Sequence, residues 1–192
     1  MGDAPQLSKD AYDRAVAFLK SHGAGETPHV NSTLLAHLEG TCELLRRWGN
    51  PEPLCLAGLC HAVYGTDGFA VAFLDPLSLR SQLRAVIGAE AEAIVYFYAS
   101  CDRRYVYPQI GRGGPVEFRD RFSERVFAPD RALWRAFLEL TFANELELVT
   151  TPALVDYTRE TFGVMFRGSR DLVSEAAFAH FAHLCGEPAL IR

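Results

Sequence analysis

The chain has 192 residues, of which 49% are hydrophobic and 22% charged, and its formal net charge is −5. This length suits one domain with a sizeable core, and the negative charge gives no electrostatic footprint for nucleic acid. No apolar run approaches the ~20 residues of a membrane span, so we expect neither nucleic acid nor a membrane as partner. The five cysteines form an odd set without a CxxC pair, which favours a reducing, cytoplasmic location.

Helical periodicity dominates the beginning of the chain. A first helix is predicted over residues 9–21, with Ser8 as its N-cap. A second is predicted to follow a cap at Asn31 or Ser32 and to continue to about Trp48. In both, apolar residues recur every three or four positions, as they do on the buried face of a helix.

The remainder of the sequence also predicts helices. A third, over residues 52–64, is apolar nearly all round, which is typical of a central buried helix. Residues 101–128 lose the periodicity, and irregular segments of that length are usually lids or disordered. We therefore predict one all-α domain over residues 1–192, with about eight helices, a core at about 30–148, and C-terminal helices over 151–186 packed on it. The other predicted helices cover residues 75–87, 89–100, 131–149, 151–166 and 169–185.

Two histidines are placed where they can face one pocket. His37 lies early in the second predicted helix and His61 late in the third. Helices joined by a short turn are antiparallel neighbours, so both histidines are expected at the same end of the pair. His29 follows Pro28 in a loop and reaches the pair only if that loop folds back. Convergence of such groups from different helices is what metal or acid/base chemistry needs.

The residues around this pair resemble the HD-domain superfamily. The resemblance rests on His37 with the following L-E-G-T-C-E-L-L, on the run L-A-G-L-C-H that ends at His61, and on L-T-F-A-N-E at residues 140–145. It covers roughly residues 30–148. It implies an all-α fold and a site like those of metal-dependent phosphohydrolases, (p)ppGpp hydrolases and di-iron oxygenases that cleave C–C or C–P bonds.

The sequence departs from the HD pattern at both acidic positions. Ala62 stands where the aspartate of the His-Asp dyad would be, and Asn144 stands in place of the final aspartate. Hard divalent cations prefer carboxylate oxygens, so a metal would need a replacement ligand. Glu145 is the first candidate, with Asp67 and Glu39 behind it, although neighbouring helix positions point about 100° apart.

The wider run A-G-L-C-H-A-V-Y-G-T resembles HD-like proteins that keep the histidines without the dyad, which favours Tyr64 and Thr66 as pocket residues. Arg103 and Arg104 border the irregular segment, and planar guanidinium groups suit carboxylate or phosphate ligands. The predicted site residues are His37, His61 and Glu145 for catalysis, His29, His37 and His61 for a divalent cation such as iron, manganese or zinc, and Asn144, Tyr64, Thr66, Arg103 and Arg104 for the substrate.

Two functions stay open at this point. The first is an enzyme with an altered HD-like site that acts on a small polar substrate, through a histidine-rich metal site or through metal-independent acid/base chemistry. The second is a non-catalytic HD-like module that binds a small molecule or a protein partner. The sequence names neither the substrate, nor the reaction, nor the oligomeric state.

Overall fold

Nine α-helices make up most of the part of the chain that the structure, a computed structural model, describes: residues 7–30, 32–69 and 71–186. The helices are α1 (Lys9–Ser21), α2 (Leu34–Arg47), α3 (Glu52–Cys60), α4 (Arg80–Ile87), α5 (Ala89–Ser100), α6 (Arg103–Val106), α7 (Arg131–Glu147), α8 (Pro152–Gly168) and α9 (Glu175–Cys185). The described residues also contain two 3₁₀ helices, at Tyr107–Gln109 and Arg170–Leu172, and two antiparallel pairs of two-residue strands: β1 (Pro28–His29) with β2 (Ser32–Thr33), and β3 (Phe118–Arg119) with β4 (Val126–Phe127). The predicted all-α class is confirmed.

Local capping explains where the first helices begin. The Ser8 hydroxyl accepts a hydrogen bond from the Ala11 N–H, as predicted for an N-cap. For α2 the cap is Thr33, whose hydroxyl accepts from the Ala36 N–H at 3.3 Å. Ser32 lies in β2 instead, and Asn31 is outside the described residues.

Several predicted boundaries differ from the structure, among them the start of the last helix, which is Glu175 rather than residue 169. α3 ends at Cys60, and a turn occupies residues 61–64. α4 begins at Arg80 rather than near Asp75, because the Asp75 carboxylate accepts hydrogen bonds from the Leu77 N–H and the Ser78 hydroxyl and so holds a turn. The segment 101–128, predicted to be irregular, contains α6, a 3₁₀ turn at Tyr107–Gln109, and the β3–β4 pair.

The core is built around α2, α3, α5 and α7. α2 packs on α3 and α7, and α3 packs on α5, while α8 and α9 pack on each other and on α7. Gly58 permits the close approach of α2 and α3, because a Cβ there would lie 2.4 Å from Leu45 Cδ1. This packing brings the beginning of α2, the end of α3 and the end of α7 together.

Candidate functional site

A polar cavity of about 170 Å³ lies where these three helix ends meet. Seven of the predicted site residues line it: His29, His37, His61, Thr66, Arg103, Asn144 and Glu145. Ala62, which stands in place of the dyad aspartate, is also in the wall, as is Asp67. We call this space the polar cavity.

His37 is held by two residues of α7. Its Nδ1 is hydrogen-bonded to the Glu147 carboxylate, and its Nε2 lies 3.1 Å from Asn144 Oδ1. Positions 144 and 147 are three apart and therefore share one face of the helix. The buried ring of His37 is thus fixed at both nitrogens.

Gly40 makes room for this arrangement. It lies on α2 one turn after His37, and a Cβ at this position would lie 2.6 Å from Glu147 Oε1 and 2.8 Å from its Cγ. Any side chain at residue 40 would therefore displace the carboxylate that contacts His37.

His61 is the C-cap residue of α3, and its side chain turns back on the helix. Its Nδ1 donates to the Gly58 carbonyl at 2.8 Å, one of the carbonyls that a helix end leaves without an intrahelical partner. The proton is thereby fixed on Nδ1, which leaves Nε2 with a lone pair. Burial and, second, the neighbouring His37 lower the pKa of His61 to about 3, so the ring is neutral.

His29 completes a row of three imidazoles. The β1–β2 pair folds the loop back, so that the His29 and His37 rings stack with centroids 4.3 Å apart, and His61 meets His37 edge-on at 5.2 Å. Burial, and then the proximity of His37, lower the pKa of His29. Its Nδ1 is buried without a hydrogen-bond partner among the described residues.

Glu145 is coupled to His37 through Asn144. The Asn144 amide donates to Glu145 Oε1 at 3.0 Å, so that a chain of hydrogen bonds runs from Glu147 through His37 and Asn144 to Glu145. Burial raises the pKa of Glu145, although the Arg103 charge and the Asn144 hydrogen bond oppose the shift. Glu145 is therefore a carboxyl group that holds a proton more readily than an exposed glutamate.

The predicted metal ligands do come together, but the residues present do not fit a divalent cation. Both nitrogens of His37 contact protein groups, and the two acidic positions of the HD pattern are Ala62 and Asn144. Within residues 7–30, 32–69 and 71–186, no three His, Cys, Asp or Glu side chains are grouped as ligands. His29, His37 and His61 therefore form a largely buried histidine cluster, and their role as metal ligands stays a prediction.

Two predicted substrate-binding residues lie away from the polar cavity. Tyr64 is buried, and its hydroxyl donates to Glu92 at 3.1 Å, where it supports the ion pairs of that carboxylate with Arg80 and Arg84. Arg104 is exposed on α6 and is absent from the cavity wall. The single residue step between Arg103 and Arg104 turns the second guanidinium away from the cavity.

The sequence interpretation missed Glu147. The predicted replacement carboxylates were Glu145, Asp67 and Glu39, although i, i+3 spacing on a helix places two side chains on one face. Applied to Asn144, that rule selects Glu147 as the carboxylate that shares its face.

A larger groove, of about 560 Å³, is mostly apolar and lies between the beginning of α3, α5 and α7. Its buried carboxylate, Glu139, accepts hydrogen bonds from Asn50 Nδ2 at 2.9 Å and from the Ser174 N–H and hydroxyl at 2.8 and 2.6 Å. Glu139 thus stabilises the start of α9.

Comparison with known proteins supports the fold. Residues 18–103 match the family model described as Domain of unknown function (DUF6817), a range that includes the three histidines and Arg103 but not α7. A comparison with curated protein sequences finds no match. The solved structure titled "A metazoan ortholog of SpoT hydrolyzes ppGpp and plays a role in starvation responses" is similar over 98% of this chain and 100% of that one. The TM-score is 0.56 at 11% identity, which indicates a shared fold.

In the described part of the chain, no helix has the length and apolar character needed to cross a membrane. No disulfide bond joins the five cysteines, all of which are buried.

Proposed function

We propose that this protein is an enzyme with an HD-like fold that acts on a small polar substrate by metal-independent acid/base chemistry in the polar cavity. The observation that carries the proposal is the pairing of two differently held imidazoles. His61 has its Nδ1 proton fixed on the Gly58 carbonyl and a lone pair on Nε2, while His37 is supported by the Glu147 carboxylate. Such a pair suits reactions that remove a proton from one atom and deliver it to another.

The hydrogen-bond chain through Asn144 is compatible with two protonation states of His37 and Glu145. With Asn144 Oδ1 facing His37, both ring nitrogens donate, so His37 is an imidazolium and Glu145 is a carboxylate. With the amide turned by 180°, Asn144 Nδ2 donates to His37, and Oδ1 accepts from a protonated Glu145. The two arrangements have equal charge and differ in the position of one proton.

In the mechanism we propose, His61 Nε2 accepts a proton from the substrate, and the His37 imidazolium delivers one from Nε2 when the substrate takes the place of Asn144 Oδ1 on that nitrogen. The His61 imidazolium then gives its proton to solvent and His37 takes one up from solvent, which returns both rings to their starting states, while Glu147 stabilises the charged His37 ring. Isomerisation, hydration and elimination of a small polar molecule all require such transfers.

The five cysteines are buried thiols, which supports a reducing cytoplasm as the location that we propose for this protein.

The size of the cavity argues against ppGpp, which the SpoT ortholog hydrolyzes, as the substrate of this protein. About 170 Å³ is less than the roughly 300–1,000 Å³ of sites that enclose drug-sized ligands. A molecule as large as ppGpp therefore exceeds this space, whereas a substrate of several non-hydrogen atoms fits.

Deuterium exchange tests the proposal. Protein treated with a chelator is incubated in D₂O with a panel of hydroxy acids, keto acids, small sugars and amides, and proton NMR detects loss of C–H signals or conversion. We expect exchange or conversion of at least one compound, reduced at least 100-fold in His61→Gln and His37→Gln. Activity that returns only on addition of a metal would contradict the mechanism.

The alternative is a binding module that has lost catalysis. Replacement of both acidic positions by Ala62 and Asn144 favours it. A panel compound that stabilises the protein in thermal denaturation, without exchange or conversion, would support this alternative and contradict the enzyme proposal.

A further inference from the structure

Arg103 carries a positive charge into the polar cavity without a carboxylate partner. None of the ion pairs in the described part of the chain includes its guanidinium. By contrast, Arg80 and Arg84 both contact the buried Glu92 carboxylate, at 2.6 and 3.1 Å. The Arg103 guanidinium therefore has no carboxylate in direct contact, although its charge also acts on Glu145 in the same cavity wall.

The contacts that Arg103 does make leave most of its donors unused. Its Nη2 donates to the Tyr98 hydroxyl at 3.0 Å, and its guanidinium carbon lies 5.5 and 5.4 Å from the Tyr98 and Tyr107 ring centroids. Aromatic faces offset part of the cost of a desolvated cation. They do not satisfy the in-plane N–H groups, which number five in a guanidinium.

The unused donors reach the cavity. Among the described residues, the buried side-chain atoms without a partner are His29 Nδ1, Tyr107 Oη and Ser169 Oγ. No nitrogen of Arg103 belongs to this set, although Arg103 lines the cavity. Its remaining N–H groups are therefore accessible, and Arg103 is one of the residues that line the cavity.

The acidic residues of the wall are engaged elsewhere. Asp67 Oδ2 accepts the backbone N–H of Arg103 at 2.9 Å, and Glu145 accepts from Asn144. Within the cavity wall Arg103 is the sole Lys or Arg side chain of the described residues. A ligand with one negative charge would meet this guanidinium without having to displace a carboxylate.

We infer that the polar cavity binds a small monocarboxylate, with the carboxylate on the guanidinium of Arg103. Planar guanidinium and carboxylate groups match in a two-bond geometry, and about 170 Å³ accommodates a molecule the size of a short hydroxy or keto acid. A dianionic phosphate would add a second charge beside Glu145 and Asp67 that Arg103 alone does not balance. The inference names the substrate class of the proposed enzyme and in that sense rests on the proposed function.

A bound carboxylate would also act on the neighbouring histidine. His61 faces the same cavity, and its ring becomes an imidazolium when Nε2 takes a proton. A nearby negative charge stabilises that imidazolium. The bound substrate would thus favour the transfer of its own proton to His61.

Ligand binding at constant ionic strength tests the inference. The probes are acetate, glycolate and pyruvate, with glycolamide as the neutral match for glycolate and inorganic phosphate as the competing anion. The readouts are thermal denaturation and the ¹⁵Nε–¹Hε NMR signal of Arg103 in the unaltered protein. We expect saturable stabilisation and a shift of the Arg103 signal with at least one carboxylate, no effect of glycolamide, and weaker binding of phosphate.

Three variants locate the site. Arg103→Met is expected to weaken carboxylate binding at least tenfold, and Arg103→Lys, which keeps the charge but not the planar fork, by a smaller factor. Arg104→Met, which alters the exposed neighbouring arginine, is the matched control and should bind as the unaltered protein does.

Several results would overturn the inference: equal binding by Arg103→Met, tighter binding of phosphate than of every carboxylate, or an Arg103 NMR signal that no carboxylate shifts. The last readout needs no variant and applies even if Arg103→Met fails to fold. Carboxylate binding without proton exchange would support the carboxylate site at Arg103 and contradict the proposed enzyme activity. Exchange of a neutral compound without carboxylate binding would support the enzyme activity and contradict the carboxylate site.

Discussion

Replacement of Gly40 by alanine separates the effect of helix propensity from the effect of the His37–Glu147 contact. Gly40 lies inside α2, where alanine ordinarily stabilises a helix. Here the added Cβ would lie 2.6 Å from Glu147 Oε1 and 2.8 Å from Glu147 Cγ. The glutamate side chain is flexible and can move aside, but it then leaves His37.

The two contributions to the free energy of unfolding have opposite signs. Alanine in place of a helical glycine contributes about 0.5–1 kcal/mol of stability. Loss of a hydrogen bond to a charged group removes about 1.5–3 kcal/mol. We therefore expect Gly40→Ala to lower the free energy of unfolding by about 1 kcal/mol. In a Glu147→Ala background, where the contact is already gone, the same change should raise it by about 1 kcal/mol.

Urea denaturation of the four proteins of this double-mutant cycle measures the coupling between residues 40 and 147, which we expect to be about 2 kcal/mol. Ring ¹⁵N NMR of His37 reports in parallel whether Nδ1 has lost its partner. Stabilisation by Gly40→Ala in both backgrounds, with an unchanged His37 spectrum, would refute the assigned contact.

Three further predictions concern other residues of the protein. Folding lowers the pKa of His61 from 6.5 to about 3, so the unfolded chain takes up a proton at His61 more readily than the folded protein does. The contribution of the neutral His61 ring to the free energy of unfolding is therefore complete above pH 6.5 and decreases as the pH falls toward 3. Between pH 7 and pH 4 the unaltered protein should lose about 3 kcal/mol more than His61→Gln in urea denaturation, and parallel losses would refute this. Arg103→Met should change the free energy of unfolding of the ligand-free protein by less than about 1 kcal/mol, because the lost hydrogen bond to Tyr98 and the lost ring contacts offset the removal of a half-buried charge; marked destabilisation would argue for a structural role. Tyr64→Phe should cost about 1 kcal/mol through its lost hydrogen bond to Glu92 and leave carboxylate binding unchanged, so weaker binding would return Tyr64 to the site.

Capping and periodicity predicted much of the fold because they are local. Ser8 and the apolar repeat placed α1 at residues 9–21, as the structure has it. The β1–β2 pair was not predicted, because two-residue strands are too short to show an alternating pattern. The role of Asp75 was also mispredicted, because an aspartate side chain can cap a helix or hold a turn, and here it holds a turn.

The candidate site was predictable where helix geometry decides it. His37 and His61 meet because antiparallel neighbours place the start of one helix beside the end of the next, and the ring centroids are 5.2 Å apart. Whether His29 reaches the other two histidines depends on the conformation of a loop, which helical periodicity does not determine. Glu147 could have been found from the spacing of α7, whereas the direction of Arg103 depends on the four-residue helix α6, which has no periodicity to read.

The most direct test of the central claim is long-range ¹H–¹⁵N NMR of the histidine rings in protein treated with a chelator. The account predicts that His61 carries its proton on Nδ1, keeps an unprotonated Nε2 at pH 5, and shows an unchanged spectrum after addition of one equivalent of Zn²⁺. A proton on Nε2, titration near pH 6.5, or zinc-dependent shifts of His37 and His61 together would contradict a metal-independent acid/base cavity.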